Sequence, residues 1–214
     1  MTRIKHFLLF FFLVTMAANC QHNTKPPCAE NAIALFNGES LDGWKTTEFG
    51  TQGPVLVRDN TLILGAGDGC TGVTFQKEFP KMNYVVTLEA KRISGSDFFC
   101  GMTFPFNEEF VTLILGGWGG SVVGLSSIGG LDASENETGV MKRFVQNQWY
   151  SIKLEVIERG IKVWIDDMLA IDFLKDERPL SVRSEVLLSR PLGISSWKTT
   201  AALRNVCLQK LTDK

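Results

Sequence analysis

Leu35-Phe36-Asn37-Gly38-Glu39-Ser40-Leu41-Asp42-Gly43-Trp44-Lys45 is the stretch on which the reading of the fold turns. It runs from an apolar strand end through an Asn-Gly and an Asp-Gly pair to a tryptophan. Both dipeptides tolerate the left-handed backbone of tight reversals. The indole then offers a large apolar body to whatever sheet the corner closes onto. On physical grounds this is the entry corner of a β-domain.

The chain on either side carries the same signature. Val55–Val57 and Thr61–Leu64, split by Asp59-Asn60, read as a hairpin. Gly65 to Gly72, with four glycines, reads as a loop. Tyr84 to Lys91 alternates as a half-buried strand. Phe98–Phe104 and Phe110–Leu115 are apolar on both faces, as central strands are, and Ser121–Ser127 is another strand. Trp149–Val156 shows a clean period of two and, with Ile161–Ile165 and Leu169–Phe173, turned at Arg159-Gly160 and Asp166-Asp167, forms a three-strand meander. Further strands are expected at Glu185–Ser189, Gly193–Ser196 and Ala201–Leu211. No helix longer than about two turns is expected. Short strands, closely spaced turns and 20 glycines predict an all-β sandwich.

The 214 residues suffice for one such domain and are short for two. A net charge of −1 with no basic stripe argues against nucleic acid as a partner. Arg3 and Lys5 precede an apolar run, Phe7 to Ala18, that is shorter than the ~20 residues of a membrane span. With Asn19-Cys20 behind it, this segment resembles a bacterial lipoprotein signal, although Asn19 stands where Gly, Ala or Ser is usual. The expectation is a signal over residues 1–19, a tether over 20–29 and one domain over 30–214. Lipidation of Cys20 would attach the exported protein to the cell envelope, in the periplasm or at the outer membrane. An ordinary cleaved signal is the alternative. Four further cysteines, Cys28, Cys70, Cys100 and Cys207, allow three pairings. Cys28 and Cys207 flank the two ends of the domain, and domain termini often lie close together, which favours that pair. Buried free thiols are the competing reading. The two histidines, His6 and His22, fall in the signal and tether, so a zinc site built on His or Cys is not expected.

The opening corner closely resembles that of the 3-keto-disaccharide hydrolase family of bacterial β-sandwich domains. So do Gly95–Pro105, Gly116–Gly120 with Val122–Ser127, Asp132–Thr138, Arg190–Ile194 and the closing Ala202–Val206. The resemblance implies a concanavalin-like jelly roll of two curved antiparallel sheets. It also implies cleavage of glycosidic bonds in sugars oxidised at C3, by elimination or hydrolysis, with carbohydrate as the partner. Many members carry an Arg at the end of the strand that matches Ser96–Gly101; here Pro105 follows and no Arg is present. A non-catalytic carbohydrate-binding module on the same fold is the alternative reading.

A C3 ketone acidifies the C2 proton, so the chemistry implied needs a base, an acid for the leaving oxygen, and a cation for the enolate. The residues offer four candidate sources. Asp132, Glu135, Asn136 and Glu137 share one polar loop able to bind sugar or a divalent cation through oxygen; a solvated acidic loop is the competing reading. Arg183 and Glu185, two apart on an expected strand, would share a face, with Arg190 in the next turn; a surface ion pair is the alternative. Asp97 opens an apolar strand, where a carboxylate must be paired or sit at a cleft, unless it only caps a turn. Trp118, among four glycines, can stack on a sugar or fill the core. Asp97, Glu137, Arg183 and Glu185 are thus the expected catalytic set, and Trp118, Asp132, Glu135, Asn136 and Arg190 the expected substrate contacts. Trp44, Trp149 and Trp164 are expected in the core, and Trp197 is open to either reading. Gly-Ala-Gly-Asp-Gly at 65–69 lacks the following helix and Lys-Ser/Thr of a phosphate loop.

Overall fold

The computed structural model describes residues 28–212, so the signal, most of the tether and Cys20 lie outside the described residues. Fifteen strands follow one another as β1 (Ile33–Ala34), β2 (Trp44–Thr46), β3 (Val55–Arg58), β4 (Thr61–Leu64), β5 (Cys70–Phe75), β6 (Tyr84–Ser94), β7 (Cys100–Phe106) and β8 (Glu109–Gly117), then β9 (Val122–Ser126), β10 (Val140–Met141), β11 (Tyr150–Ile157), β12 (Gly160–Ile165), β13 (Met168–Leu174), β14 (Gly193–Trp197) and β15 (Thr200–Lys210). A short 3-10 helix, Ser184–Ser189, precedes β14. All pairings are antiparallel. One sheet has eight strands in the order β13-β12-β11-β6-β15-β4-β3, with β1 added to β15; the other has seven, β10-β9-β8-β7-β14-β5-β2. The fold is the two-sheet jelly-roll sandwich that the sequence predicts.

Between the sheets lies one apolar core. Val86, Leu88, Ile152, Leu154 and Leu203 from the larger sheet meet Met102, Phe104, Leu113, Leu125 and Ile194 from the smaller. In β11 the inward residues Ile152, Leu154 and Val156 alternate with Lys153 and Glu155, the period-two pattern read from the sequence. The opening corner folds as its dipeptides require. Asn37 Oδ1 accepts from the amides of Glu39 and Ser40, both at 2.9 Å. Gly38 and Gly43 sit at φ +80° and +78°. Trp44 is buried, its Nε1 donating to the Leu35 carbonyl at 2.7 Å and its ring meeting Phe75 edge-on at 5.0 Å. Cys28 and Cys207 form a disulfide across 179 residues, tying the start of the domain to its last strand, while Cys70 and Cys100 are buried free thiols.

Three expectations need correction. Glu185–Ser189 is not a strand but the 3-10 helix, and only Val186 and Ser189 are buried in it. Their spacing of three matches the 3.0 residues per turn of that helix. The glycine-rich loop ends early, because Cys70–Phe75 is a fully buried strand. Its Gly72 serves close packing rather than a turn: a Cβ there would lie 2.6 Å from the Ile194 carbonyl oxygen. Trp149 and Trp164 are not core. Both lie half-buried on the outer face of the eight-stranded sheet, beneath Lys91 and Arg204 (4.6 and 4.1 Å) and Lys153 (4.3 Å) respectively.

Candidate functional site

The outer face of the seven-stranded sheet carries the candidate site. Core side chains in β7, β8 and β9 leave the alternate positions facing away from the sandwich. Around the cleft most of these are small, Gly101 and Thr103 in β7, Thr112 in β8, Gly124 and Ser126 in β9 and Ser195 in β14, with Ile114 of β8 the larger exception. Thr103 and Thr112 share a hydrogen bond at 2.9 Å, and Ser195 Oγ donates to the Gly101 carbonyl at 3.4 Å, so the floor satisfies its own polar groups. The 3-10 helix rests on one side of it. Thr74 Oγ1 donates to the Leu188 carbonyl at 3.0 Å, and Val186 and Ser189 are buried beneath the helix.

Over this floor opens a cleft of about 200 Å³. Asp97, Phe98, Trp118, Arg183, Glu185 and Trp197 line it, with Cys70, Thr112, Ile114, Ser126 and Val186 beneath and beside them. The charges come from loops and from the mouth of the helix. Asp97 is positioned by its backbone: its amide donates to Thr199 Oγ1 at 3.2 Å, and its Oδ1 accepts from the Phe98 amide at 2.7 Å. Among the described residues it forms no salt bridge. Trp118 occupies the β8–β9 turn at φ +48° and stays 41% exposed.

Arg183 organises the other wall. Its Nη2 donates to Glu185 Oε1 at 2.8 Å and its Nη1 to Asp132 Oδ2. Asp132 Oδ1 in turn accepts from Ser126 Oγ at 2.9 Å and Ser127 Oγ at 3.0 Å, across a cis Ser126-Ser127 peptide. The result is one connected chain of serine hydroxyls, carboxylate, guanidinium and carboxylate. The hydrogen bond from Arg183 holds Glu185 below the usual carboxylate range, and the same bond raises Arg183. Burial, helped by the Glu185 charge, pushes the Cys70 thiol up to about 12, so it sits in the cleft as a neutral thiol.

The structure thus brings together Asp97, Trp118, Arg183 and Glu185, with Asp132 behind Arg183. The remaining expected residues lie elsewhere. Glu137 is bound by Arg178, which holds it below the usual carboxylate range, and it borders a separate cavity with Asp176 and Asp172. Asn136 is buried and pins its own loop: its Nδ2 donates to the carbonyls of Leu125, Leu131 and Asp132 at 2.8–3.0 Å, and its Oδ1 accepts from Thr138. Glu135 accepts from the Asp132 amide at 3.2 Å. The acidic loop is therefore spent on its own turn, on Arg178 and on Arg183. Among the described residues no group of three His, Cys, Asp or Glu is placed to hold a metal ion. Arg190 is exposed at the end of the 3-10 helix, over the Phe110 ring at 5.4 Å. Arg183 and Glu185 pair because the chain turns into a helix between them, not because they share a strand face.

Phe98 escaped the sequence reading as a site residue, and Trp197 was left open between core and site. A signal existed for the first: Phe98 and Phe99 are consecutive, and successive strand positions face opposite sides, so one ring must leave the core. Phe99 takes the core and Phe98 the cleft. For Trp197 the pattern allows either reading, since it ends its strand next to Lys198, and the structure puts it in the cleft.

A family model, the 3-keto-alpha-glucoside-1,2-lyase-like domain, matches residues 31–209. No curated protein matches the chain in sequence. Solved structures share the fold at low identity. The carbohydrate-binding module CBM66 from Bacillus subtilis is 17% identical, with TM-score 0.55 over 78% of this chain and 96% of its own. A protein of unknown function with a galectin-like fold, also from Bacillus subtilis, is 11% identical, with TM-score 0.61 over 86% of this chain and 96% of its own. The Crh5 transglycosylase in complex with NAG is 11% identical, with TM-score 0.60 over 86% of this chain and 85% of its own. At such identities the likeness is one of architecture.

Proposed function

We propose, from the premise that this chain belongs to the 3-keto-alpha-glucoside-1,2-lyase-like domain family, that the cleft on its seven-stranded sheet binds a 3-keto-glycoside and breaks its C1–O bond by elimination. Asp97 is the base. It alone of the two cleft carboxylates carries no salt bridge, whereas Glu185 is committed to Arg183. Asp97 takes the C2 proton, and the electron pair spreads onto the C3 oxygen as an enolate. The enolate collapses to a C1=C2 double bond and expels the C1 oxygen. That oxygen takes up the proton held by Asp97, so one carboxyl serves as base and then as acid. Arg183 supplies the positive charge for the enolate, and Glu185 and Asp132 fix its fork. Trp118, Trp197 and Phe98 offer apolar faces for the ring. Addition of water across the double bond would complete a net hydrolysis.

What carries this reading is the convergence of Asp97, Arg183 and Glu185 in one aromatic-walled cleft. At about 200 Å³ it is smaller than the ~300–1,000 Å³ of sites for drug-sized ligands and suits a single sugar ring. The test is to incubate purified protein with a 3-keto-glucoside and follow release of the aglycone. Asp97→Asn should lose about 10²–10⁴-fold in rate, the range for a general acid–base group. Wild type and Asp97→Asn releasing aglycone at the same rate would refute the assignment. The exposed Trp118 indole also supports the non-catalytic reading, in which the folded protein retains sugar and releases nothing. Export and lipidation at Cys20 belong to the same proposal. Mass spectrometry of the mature N-terminus would find a lipid-modified Cys20 and no residues 1–19; an unmodified or differently cleaved terminus would reject it.

A further inference from the structure

A second cleft, about 540 Å³, lies against the first. The same loops build both. Asp97 and Trp118 line the first, and their chain neighbours Ser96, Gly119 and Gly120 line the second. The two loops touch, since a Cβ on Gly120 would lie 3.0 Å from the Ser96 carbonyl oxygen. A ligand that overfills the one-ring cleft has this space to extend into.

The second cleft is cationic. Arg92, Lys142 and Arg143 line it, no acidic residue does, and among the described residues none of the three cations has an ion-pair partner. This occurs in a chain of net charge −1. Arg92 is the informative member. It is only 6% exposed, and two of its bonds go to the turn that carries Trp118: Nη2 donates to the carbonyls of Gly116 at 3.2 Å and Gly120 at 2.9 Å. Its Nε is buried with no hydrogen-bond partner. An unpaired buried donor on a charged group is costly to keep. The carboxylate that acts on Arg92 is Asp97, which lines the neighbouring cleft. Lys142 lies over the rings of Phe144 and Tyr150 at 5.9 and 5.7 Å, and Arg143 is exposed.

We propose that this cleft binds the anionic group of a glycoside whose reacting ring occupies the first cleft, so that the substrate class is an acidic glycoside bearing a carboxylate or a sulfate or phosphate ester. A planar guanidinium flanked by two further cations suits any of these oxyanions. The inference rests on the carbohydrate reading of the first cleft, but it is tested by binding rather than turnover.

Calorimetric titration of the whole protein with glucose, glucuronate, glucose 6-sulfate and inorganic sulfate decides it. At low salt the charged sugars should bind about tenfold or more tighter than glucose, with the advantage lost near 1 M salt, where the screening length is ~3 Å. The order of binding among glucuronate, glucose 6-sulfate and glucose 6-phosphate, added to the same series, identifies the anion. Lys142→Gln/Arg143→Gln, a surface change that should leave the fold intact, should abolish the preference. Arg92→Lys should weaken it too, and if that variant fails to fold the double variant still decides. Equal binding of charged and neutral sugars, inorganic sulfate binding as tightly as the charged sugars, or a preference unchanged in Lys142→Gln/Arg143→Gln would each overturn the proposal. A protein that cleaves 3-keto-glucoside without charge preference loses this inference alone. One that prefers charged sugars but cleaves nothing loses the lyase reading alone.

Discussion

The two outer faces of this sandwich are built on opposite plans. On the eight-stranded sheet, outward positions carry long side chains that engage one another. Lys162 meets Asp172 at 3.2 Å, Arg204 meets Glu89, and Trp149 and Trp164 lie beneath cations. These cross-strand pairs cover their own face. On the seven-stranded sheet the equivalent positions around the cleft hold mostly Gly, Ser, Thr and Cys, which leave space, with Ile114 among them, and the charges come from loops that arch over it. Both sheets obey the same inward alternation. The difference lies only in what faces out, and it separates a closed surface from a floor.

Substitutions on the two faces should therefore behave differently. The largest effect belongs to Asp97→Asn, which should keep its melting temperature while losing about 10²–10⁴-fold in aglycone release; the same exchange at Asp172, on the other face, should leave release unchanged. Next comes Cys207→Ser, which opens a 179-residue loop and should cost about 2–5 kcal/mol in denaturant unfolding. An unchanged midpoint would show that the disulfide contributes nothing to stability. Gly72→Ala forces a methyl toward the Ile194 carbonyl and should cost about 1–3 kcal/mol. Lys153→Ala, on the opposite face, should stay within about 0.5 kcal/mol. Equal costs for these last two would remove the distinction between floor and surface.

The smallest effect is electrostatic. Glu185 is held below the ordinary value of 4.5 in the folded state. Its contribution to stability is therefore complete above the unfolded carboxylate range and is lost as pH falls through the depressed folded value. The difference in melting temperature between wild type and Glu185→Gln should be present at neutral pH, start to shrink as pH falls through the ordinary carboxylate value of 4.5, and vanish only below the depressed folded value. Glu137, depressed by Arg178, is retained in both proteins and cancels. A difference that grows on acidification would reverse the assigned sign.

The same contrast explains what the sequence disclosed. The meander from Tyr150 to Leu174 was legible because Ile152, Leu154 and Val156 alternate with charge, which only a covered-inside, wet-outside face produces. The corner at Asn37–Trp44 was legible because its turn residues are chemically specific. Cys70–Phe75 was not, since glycines that allow close packing look like glycines that allow turning. At the site, Asp97 and Trp118 stood out as a carboxylate and an indole where the pattern asks for neither. Arg183 and Glu185 were found with the wrong geometry, because Val186 and Ser189 show a spacing of three only once their burial is known. Glu137 was misplaced because sequence adjacency to Asp132 says nothing of Arg178, which reaches it from 41 residues away.

The five tryptophans supply the most direct test of the central claim, that the ligand lies on the seven-stranded face. Trp118 and Trp197 line the cleft, Trp149 and Trp164 lie on the opposite sheet, and Trp44 is in the core. Asp97→Asn, labelled with ¹⁵N, should be titrated with a 3-keto-glucoside that it cleaves about 10²–10⁴-fold more slowly while the five indole N–H signals are followed. The account predicts saturable shifts at Trp118 and Trp197, with Trp149, Trp164 and Trp44 unmoved. Shifts confined to Trp149 and Trp164 would place the ligand on the other face and contradict it.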